Sequence, residues 1–84
     1  MDQEYLNKVW TFLKQEMPKH GNDLRLDDGV FVFRMPEGQS FQSYYEEIHE
    51  AVKAHIERIR RRETDLSFKV WSPYQERDFK ILKP

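Results

Sequence analysis

The dipeptide Asp28-Gly29, set between two short apolar runs, restricts the fold of this chain more than any other feature of its sequence. An Asp-Gly pair between alternating apolar residues is typical of a two-residue type I′ turn, whose twist suits an antiparallel hairpin. The predicted face-sharing pairs are Leu26 with Phe31 and Leu24 with Phe33 on the apolar side, and Arg25 with Val32 and Asp23 with Arg34 on the other. A three-residue turn would instead place Arg25 opposite Phe31, so we favour the register that separates apolar from charged residues.

The segment before this hairpin has the three- and four-residue spacing of an amphipathic helix. Asp2 is a candidate N-cap, and Pro18 followed by Gly21 ends the helix near residues 15–17, because proline disfavours helical geometry in the residue before it. The apolar stripe consists of Tyr5, Leu6, Val9, Trp10, Leu13 and Met17.

A second and longer helix follows the hairpin and begins at Ser40 or Ser43, because serine hydroxyls cap exposed helix amides. Arginines fill the predicted last turn, where positive charge complements the helix dipole. The apolar face of this helix is Phe41, Tyr44, Tyr45, Ile48, Val52, Ile56 and Ile59, with Ala51 and His55 beside it, and the arginines are Arg58, Arg60, Arg61 and Arg62.

A second hairpin, residues 66–71 and 77–82 around a loop at 72–75, pairs Phe68 with Phe79, Leu66 with Ile81 and Lys69 with Asp78. The order α-β-β-α-β-β predicts an α+β two-layer sandwich in one domain, residues 1–84, with both helices on one face of a four-stranded, mostly antiparallel sheet. The strand at 30–34 is unusually apolar for a sheet edge. We therefore expect it to lie inside the sheet or to pair with a second copy in a homo-oligomer.

Composition narrows the classes of function. A chain of 84 residues is too short for the large barrel or doubly wound enzymes. The absence of cysteine favours a cytoplasmic protein. The first residues carry no basic or apolar leader, and no apolar run is long enough to span a bilayer, so we expect no membrane association.

Each residue that could take part in catalysis or ligand binding also has a purely structural explanation. The serines suit caps, a strand and a turn, and the three glycines are too far apart to cradle a phosphate. Glu46 and His49 have the spacing of a di-iron motif, but the first helix contains no histidine to complete it. We expect His49 to be solvated, His55 to be partly buried and bonded to the backbone or a tyrosine, and His20 to lie in a loop without a partner. We predict no catalytic site, no metal and no cofactor.

Two surfaces are candidates for binding. Val30, Val32 and Trp71 form an apolar patch on the outward face of the sheet, which either marks a partner surface or is shielded by arginine and lysine stems. We expect a small non-enzymatic interaction module that binds a protein partner through Trp71, Tyr74, Arg58, Arg61 and Arg62. The alternative is nucleic-acid binding through the arginines at 58–62, which the formal net charge of −1 disfavours.

Overall fold

The computed structural model describes residues 3–59 and 61–84. Within them, the chain forms α1 (Gln3–Glu16), a 3-10 helix (Pro18–Asp23), β1 (Leu24–Asp27), β2 (Val30–Arg34), α2 (Phe41–Glu57), β3 (Leu66–Trp71) and β4 (Glu76–Ile81). This order confirms the predicted α+β arrangement. The predicted N-cap Asp2 and the predicted cluster member Arg60 lie outside the described residues.

The first hairpin has the predicted register. Asp28 and Gly29 have φ values of 49° and 81°, as a type I′ turn requires, and Leu26 pairs with Phe31. The predicted pairing of Asp23 with Arg34 is wrong, because Asp23 belongs to the 3-10 helix and β1 begins only at Leu24.

The strands lie in the order β1-β2-β3-β4. β2 and β3 are parallel, whereas the β1/β2 and β3/β4 pairs are antiparallel. β2 therefore lies inside the sheet, which is the first of the two alternatives for this apolar strand. The second hairpin also has its predicted register, with Phe68 opposite Phe79 and Leu66 opposite Ile81.

Both helices cover the same face of the sheet, because their apolar stripes and the sheet's inward residues form one cluster. Phe68 is 1% exposed, and its ring stacks between Phe31 and Phe79 at 5.2 and 5.0 Å between ring centres. The buried helix residues in this cluster are Leu6, Val9 and Leu13 of α1 and Tyr44, Tyr45, Ile48, Val52 and Ile56 of α2. Among the helices that the structure describes, none is both long and apolar enough to cross a membrane.

The ends of α2 differ in how well they follow the sequence pattern. Ser40, rather than Ser43, is the N-cap, and its Oγ accepts from the Ser43 N–H at 3.4 Å. The helix ends at Glu57 with Arg58 as its C-cap, so the prediction that places Arg58, Arg61 and Arg62 in the last helical turn is wrong. The chain turns back after the helix, and the Arg62 guanidinium donates to the carbonyl oxygens of Ile56 at 3.3 Å and Ile59 at 3.1 Å.

His20 is buried, contrary to the expectation of a loop histidine without a partner. It is 7% exposed, its Nε2 lies 3.4 Å from a Glu47 carboxylate oxygen, and its ring meets the Tyr44 ring edge-on at 5.7 Å. Burial lowers the pKa of His20 from 6.5 because the charged imidazolium loses its hydration, and the nearby Glu47 carboxylate opposes this shift. His20 is therefore buried mainly as the neutral imidazole.

Acidification from about pH 7.5 to about pH 5 is expected to reduce stability through His20. Its folded pKa lies below 6.5, so the unfolded chain takes up this proton first. The stabilisation that the neutral His20 ring gives is complete above the pKa of His20 in the unfolded chain. It is lost as the pH falls through the pKa of His20 in the folded protein. Lys19 also disfavours the charged ring and Asp23 favours it, and the Tyr44 ring lies edge-on against it.

Urea unfolding of the wild type and of His20→Gln across this pH range measures the contribution. The difference in unfolding free energy between the two proteins should shrink as the pH falls, because only the wild type loses the contribution of the neutral His20 ring. A difference that grows on acidification would contradict the assignment of His20 as a neutral buried group.

Candidate functional site

The carboxyl ends of the two parallel strands lie side by side, with Arg34 opposite Trp71 in the β2/β3 register. The Met35 N–H continues this ladder by donating to the Trp71 carbonyl at 2.8 Å. We define the corner surface as the side chains gathered at this end, namely Arg34, Met35, Pro36, Trp71, Pro73 and Tyr74.

A buried serine holds the loop that presents Tyr74. Ser72 is 4% exposed, and its Oγ donates to the Gln75 carbonyl at 2.8 Å. The same oxygen accepts from the N–H groups of Tyr74 at 3.3 Å and Gln75 at 3.1 Å, and the Ser72 N–H donates to the Gln75 carbonyl at 2.9 Å. Serine hydroxyls commonly replace backbone partners in turns in this way. Tyr74 is 95% exposed on this turn.

A groove of about 620 Å³ separates this turn from the loop between β2 and α2. Its lining residues are Pro73 and Tyr74, residues 35–39, Asp23 and Arg34. Apolar and charged groups therefore line the same groove, and Gly38, at φ 83°, shapes one wall.

Arg34 joins the groove to the outward face of the sheet, because it also lines a shallow depression that contains Val32 and Trp71. Its guanidinium carbon lies 5.6 Å from the centre of the Trp71 ring, which is a cation–π distance. Trp71, Val30 and Val32 are half-buried, and within the predicted patch the Arg34 side chain lies over the Trp71 ring. On this face Lys69 reaches Glu76 at 3.4 Å, although its predicted partner Asp78 lies directly opposite in the register.

The predicted binding residues fall into two separated groups. Trp71 and Tyr74 lie at the corner, beside the start of α2, whereas Arg58, Arg61 and Arg62 follow its end. β3, which ends at Trp71, spans about 17 Å between the two groups. A single small contact patch cannot include all five residues.

Two of the arginines serve partners within the chain. Arg58 Nη1 lies 3.0 Å from the Glu16 carboxylate and 3.2 Å from His55 Nδ1, which ties the end of α2 to the end of α1. Arg62 donates to the last carbonyls around the end of α2 and, at 3.3 Å, to the Leu82 carbonyl. Arg61 is exposed.

The remaining histidines pack against other side chains. His49 stacks on Tyr45 at 5.9 Å and meets Phe79 edge-on at 4.8 Å, so the expectation of a solvated ring is wrong. His55 is half-buried as expected, but its polar contact is Arg58 rather than the backbone or a tyrosine. Glu46 accepts from Gln42 at 2.9 Å. In residues 3–59 and 61–84, no group of three or more histidine, cysteine or acidic side chains could hold a metal ion.

The sequence patterns indicated Trp71 and Tyr74 as candidate binding residues, but not Arg34, Met35 or Ser72. The Ser72-Pro73 pair marked a loop, and a serine at the first position of a turn is the usual sign of a side chain that holds it. Arg34 could not be assigned to the corner surface without knowing which strand lies beside β3. Comparison of the chain with protein-family models, with curated proteins and with solved structures finds no match.

Proposed function

We propose that this chain is a small, non-enzymatic, cytosolic protein-interaction module that binds a protein partner through the corner surface. The observation that carries the proposal is Tyr74, which is 95% exposed on a turn fixed by the buried Ser72 hydroxyl. A large aromatic side chain held in water by a rigid turn gains burial when a partner covers it, and little loop entropy is lost.

The composition of the corner surface supports a protein partner. Tyrosine, tryptophan and arginine are the side chains most enriched among residues that dominate binding energy at protein interfaces. Tyr74, Trp71 and Arg34 supply one of each within the same end of the molecule, and the groove beside Tyr74 offers a recess for a partner side chain.

The arginine group supports the alternative, nucleic-acid binding, less well. Phosphate recognition needs guanidinium groups that are free to turn outward, and salt-dependent affinity grows with the number of such contacts. Arg58 and Arg62 instead donate to Glu16 and to backbone carbonyls. Acidic residues at 57, 63 and 65 also surround this end.

Affinity purification of the tagged chain from native lysate, with and without nuclease, tests the proposal. We expect a protein partner that survives nuclease treatment and whose affinity for Tyr74→Ala falls by more than tenfold, the size of a major interface truncation. Arg61→Ala is the matched control, since it also removes a long exposed side chain. Both variants should keep the wild-type melting temperature because neither side chain is buried.

The opposite pattern would overturn the proposal. If capture is unchanged in Tyr74→Ala and in Trp71→Ala, the corner surface is not the contact. If retention is lost on nuclease treatment and falls steeply with salt, the chain binds nucleic acid.

A further inference from the structure

The edges of the sheet are protected to different extents. On β1, the Trp10 indole N–H donates to the Leu24 carbonyl at 3.2 Å, and the Leu24 N–H donates to the Gly21 carbonyl. These bonds occupy outward backbone groups of that edge. β4 forms the other edge and pairs only with β3 among the described residues.

The hydrogen-bond pattern identifies which backbone groups of β4 face away from the sheet. The Trp71 carbonyl accepts from Met35, the residue after β2, so the backbone groups of Trp71 face β2. The Ser72 N–H donates to the Gln75 carbonyl across the turn, so Ser72 faces the β4 side. Residues along an antiparallel pair alternate between facing the partner strand and facing away. The Arg77, Phe79 and Ile81 backbone groups therefore face β3, and those of Glu76, Asp78 and Lys80 face outward.

We propose that this edge binds a second copy of the chain, with the two β4 strands antiparallel about a twofold axis at Phe79. Asp78 then lies opposite Lys80 of the second copy, and Lys80 lies opposite the second copy's Asp78. Each of these two pairs exchanges two backbone hydrogen bonds, so that the two sheets become one. The inference is independent of the proposed function, because it uses a different edge of the molecule.

Charge selects this register over its neighbours. In the proposed register, both outward pairs at the centre of the contact join Asp78 to Lys80. A shift of two residues in one direction places Asp78 opposite itself, and a shift in the other direction places Lys80 opposite itself. Like charges directly opposite each other destabilise a strand pair, whereas opposite charges stabilise it.

The inward face of β4 also fits a second copy. Phe31, Phe68 and Phe79 form a ladder of stacked rings across three strands, with 25° and 10° between successive ring planes. Phe79 is the last ring of this ladder and is only half-buried. At the twofold axis it would lie opposite Phe79 of the second copy in a non-hydrogen-bonded pair, with about 4.5 Å between the Cα atoms. The ladder would then continue into the second sheet.

Sedimentation equilibrium of the full chain tests the pairing. The wild type should form a dimer of twice the 10.3 kDa chain mass as its concentration rises. Lys80→Glu and Asp78→Lys should each weaken self-association at least about tenfold, because each replaces both attractive pairs with repulsive ones. An equimolar mixture of the two variants should dimerise again, and so should the chain that carries both changes. Tyr74→Ala should dimerise like the wild type.

Folding of the variants is checked by thermal unfolding. Asp78→Lys places two lysines opposite each other within the chain, since Asp78 pairs with Lys69, whereas Lys80 lies opposite Ser67. Lys80→Glu is therefore the decisive single variant. A wild type that stays monomeric at the highest attainable concentration, or a dimer that Lys80→Glu leaves unchanged, would overturn the proposal.

Cysteine pairs test the register directly, because the chain has no cysteine of its own. Asp78→Cys and Lys80→Cys chains should form a disulfide-linked heterodimer when they are mixed and oxidised, since the facing Cα atoms lie within disulfide range. Each variant alone should cross-link much more slowly. Faster linkage of Asp78→Cys to itself than to Lys80→Cys would exclude the proposed register.

Discussion

Replacing Phe68 with alanine is expected to lower the free energy of unfolding by about 3 to 5 kcal/mol. Phe68 lies on a central strand, is 1% exposed, and has stacked rings on both sides. Its removal loses the burial of a whole ring and leaves a cavity that strands on both sides prevent from closing. For a chain of this length, a loss of that size is a large fraction of the total stability.

Urea unfolding followed by circular dichroism measures this loss, with Phe41→Ala as the matched control. Phe41 is the first residue of α2 and is half-buried, so the same substitution there should cost less than half as much. If the two substitutions cost the same, Phe68 is not at the centre of the core.

Replacing Arg62 with alanine is expected to cost about 1.5 to 3 kcal/mol, which is the range for hydrogen bonds to a charged group. The Arg62 side chain is half-buried and donates to the carbonyls of Ile56, Ile59 and Leu82, which links the end of α2 to the end of the sheet. Without the guanidinium, the Ile59 and Leu82 carbonyls lose this donor, while the Ile56 carbonyl keeps the Ile59 N–H at 2.9 Å.

The neighbouring Arg61 is the control, because it is exposed. Arg61→Ala should change the free energy of unfolding by no more than about 0.5 kcal/mol. Arg62→Lys keeps the charge but lacks the planar fork, so it should recover only part of the loss. If the Arg61 and Arg62 substitutions change the free energy of unfolding in urea by the same amount, Arg62 has no special structural role.

Local sequence patterns were sufficient to predict the two α-helices, the four strands and the register of both hairpins. Alternation at Leu24, Leu26, Phe31 and Phe33 permits one register that keeps apolar residues on one face, and the Asp28-Gly29 turn selects the same register. The prediction succeeded because side-chain period and turn chemistry act over a few residues. Both signals gave the same result.

Features set by contacts distant in sequence could not be predicted in this way. His20 is buried because α2 brings Tyr44 and Glu47 over the 3-10 helix, and no local signal records that approach. The helical pattern likewise continued through Ile59, but α2 ends at Glu57 and Arg62 folds back onto its last carbonyls. The strand order could not be predicted either, because parallel pairing of β2 with β3 depends on where α2 crosses the sheet.

The candidate site was predicted in part for the same reason. Tyr74 lies in a serine-proline loop whose exposure the sequence indicates. Arg34 joins it only because β2 and β3 end side by side. The arginines form a charge cluster in the sequence, and the hydrogen bonds of Arg58 and Arg62 to other parts of the chain give that cluster a structural role.

Site-specific photo-cross-linking in cells tests the central claim, that the corner surface binds the partner and the arginine end stabilises the fold. A photoreactive phenylalanine analogue is placed at Tyr74 in one protein and at Arg61 in another, both of which are exposed positions. We predict a protein adduct from position 74 and none of comparable yield from position 61. An adduct from position 61 alone, whether with protein or with nucleic acid, would contradict the account.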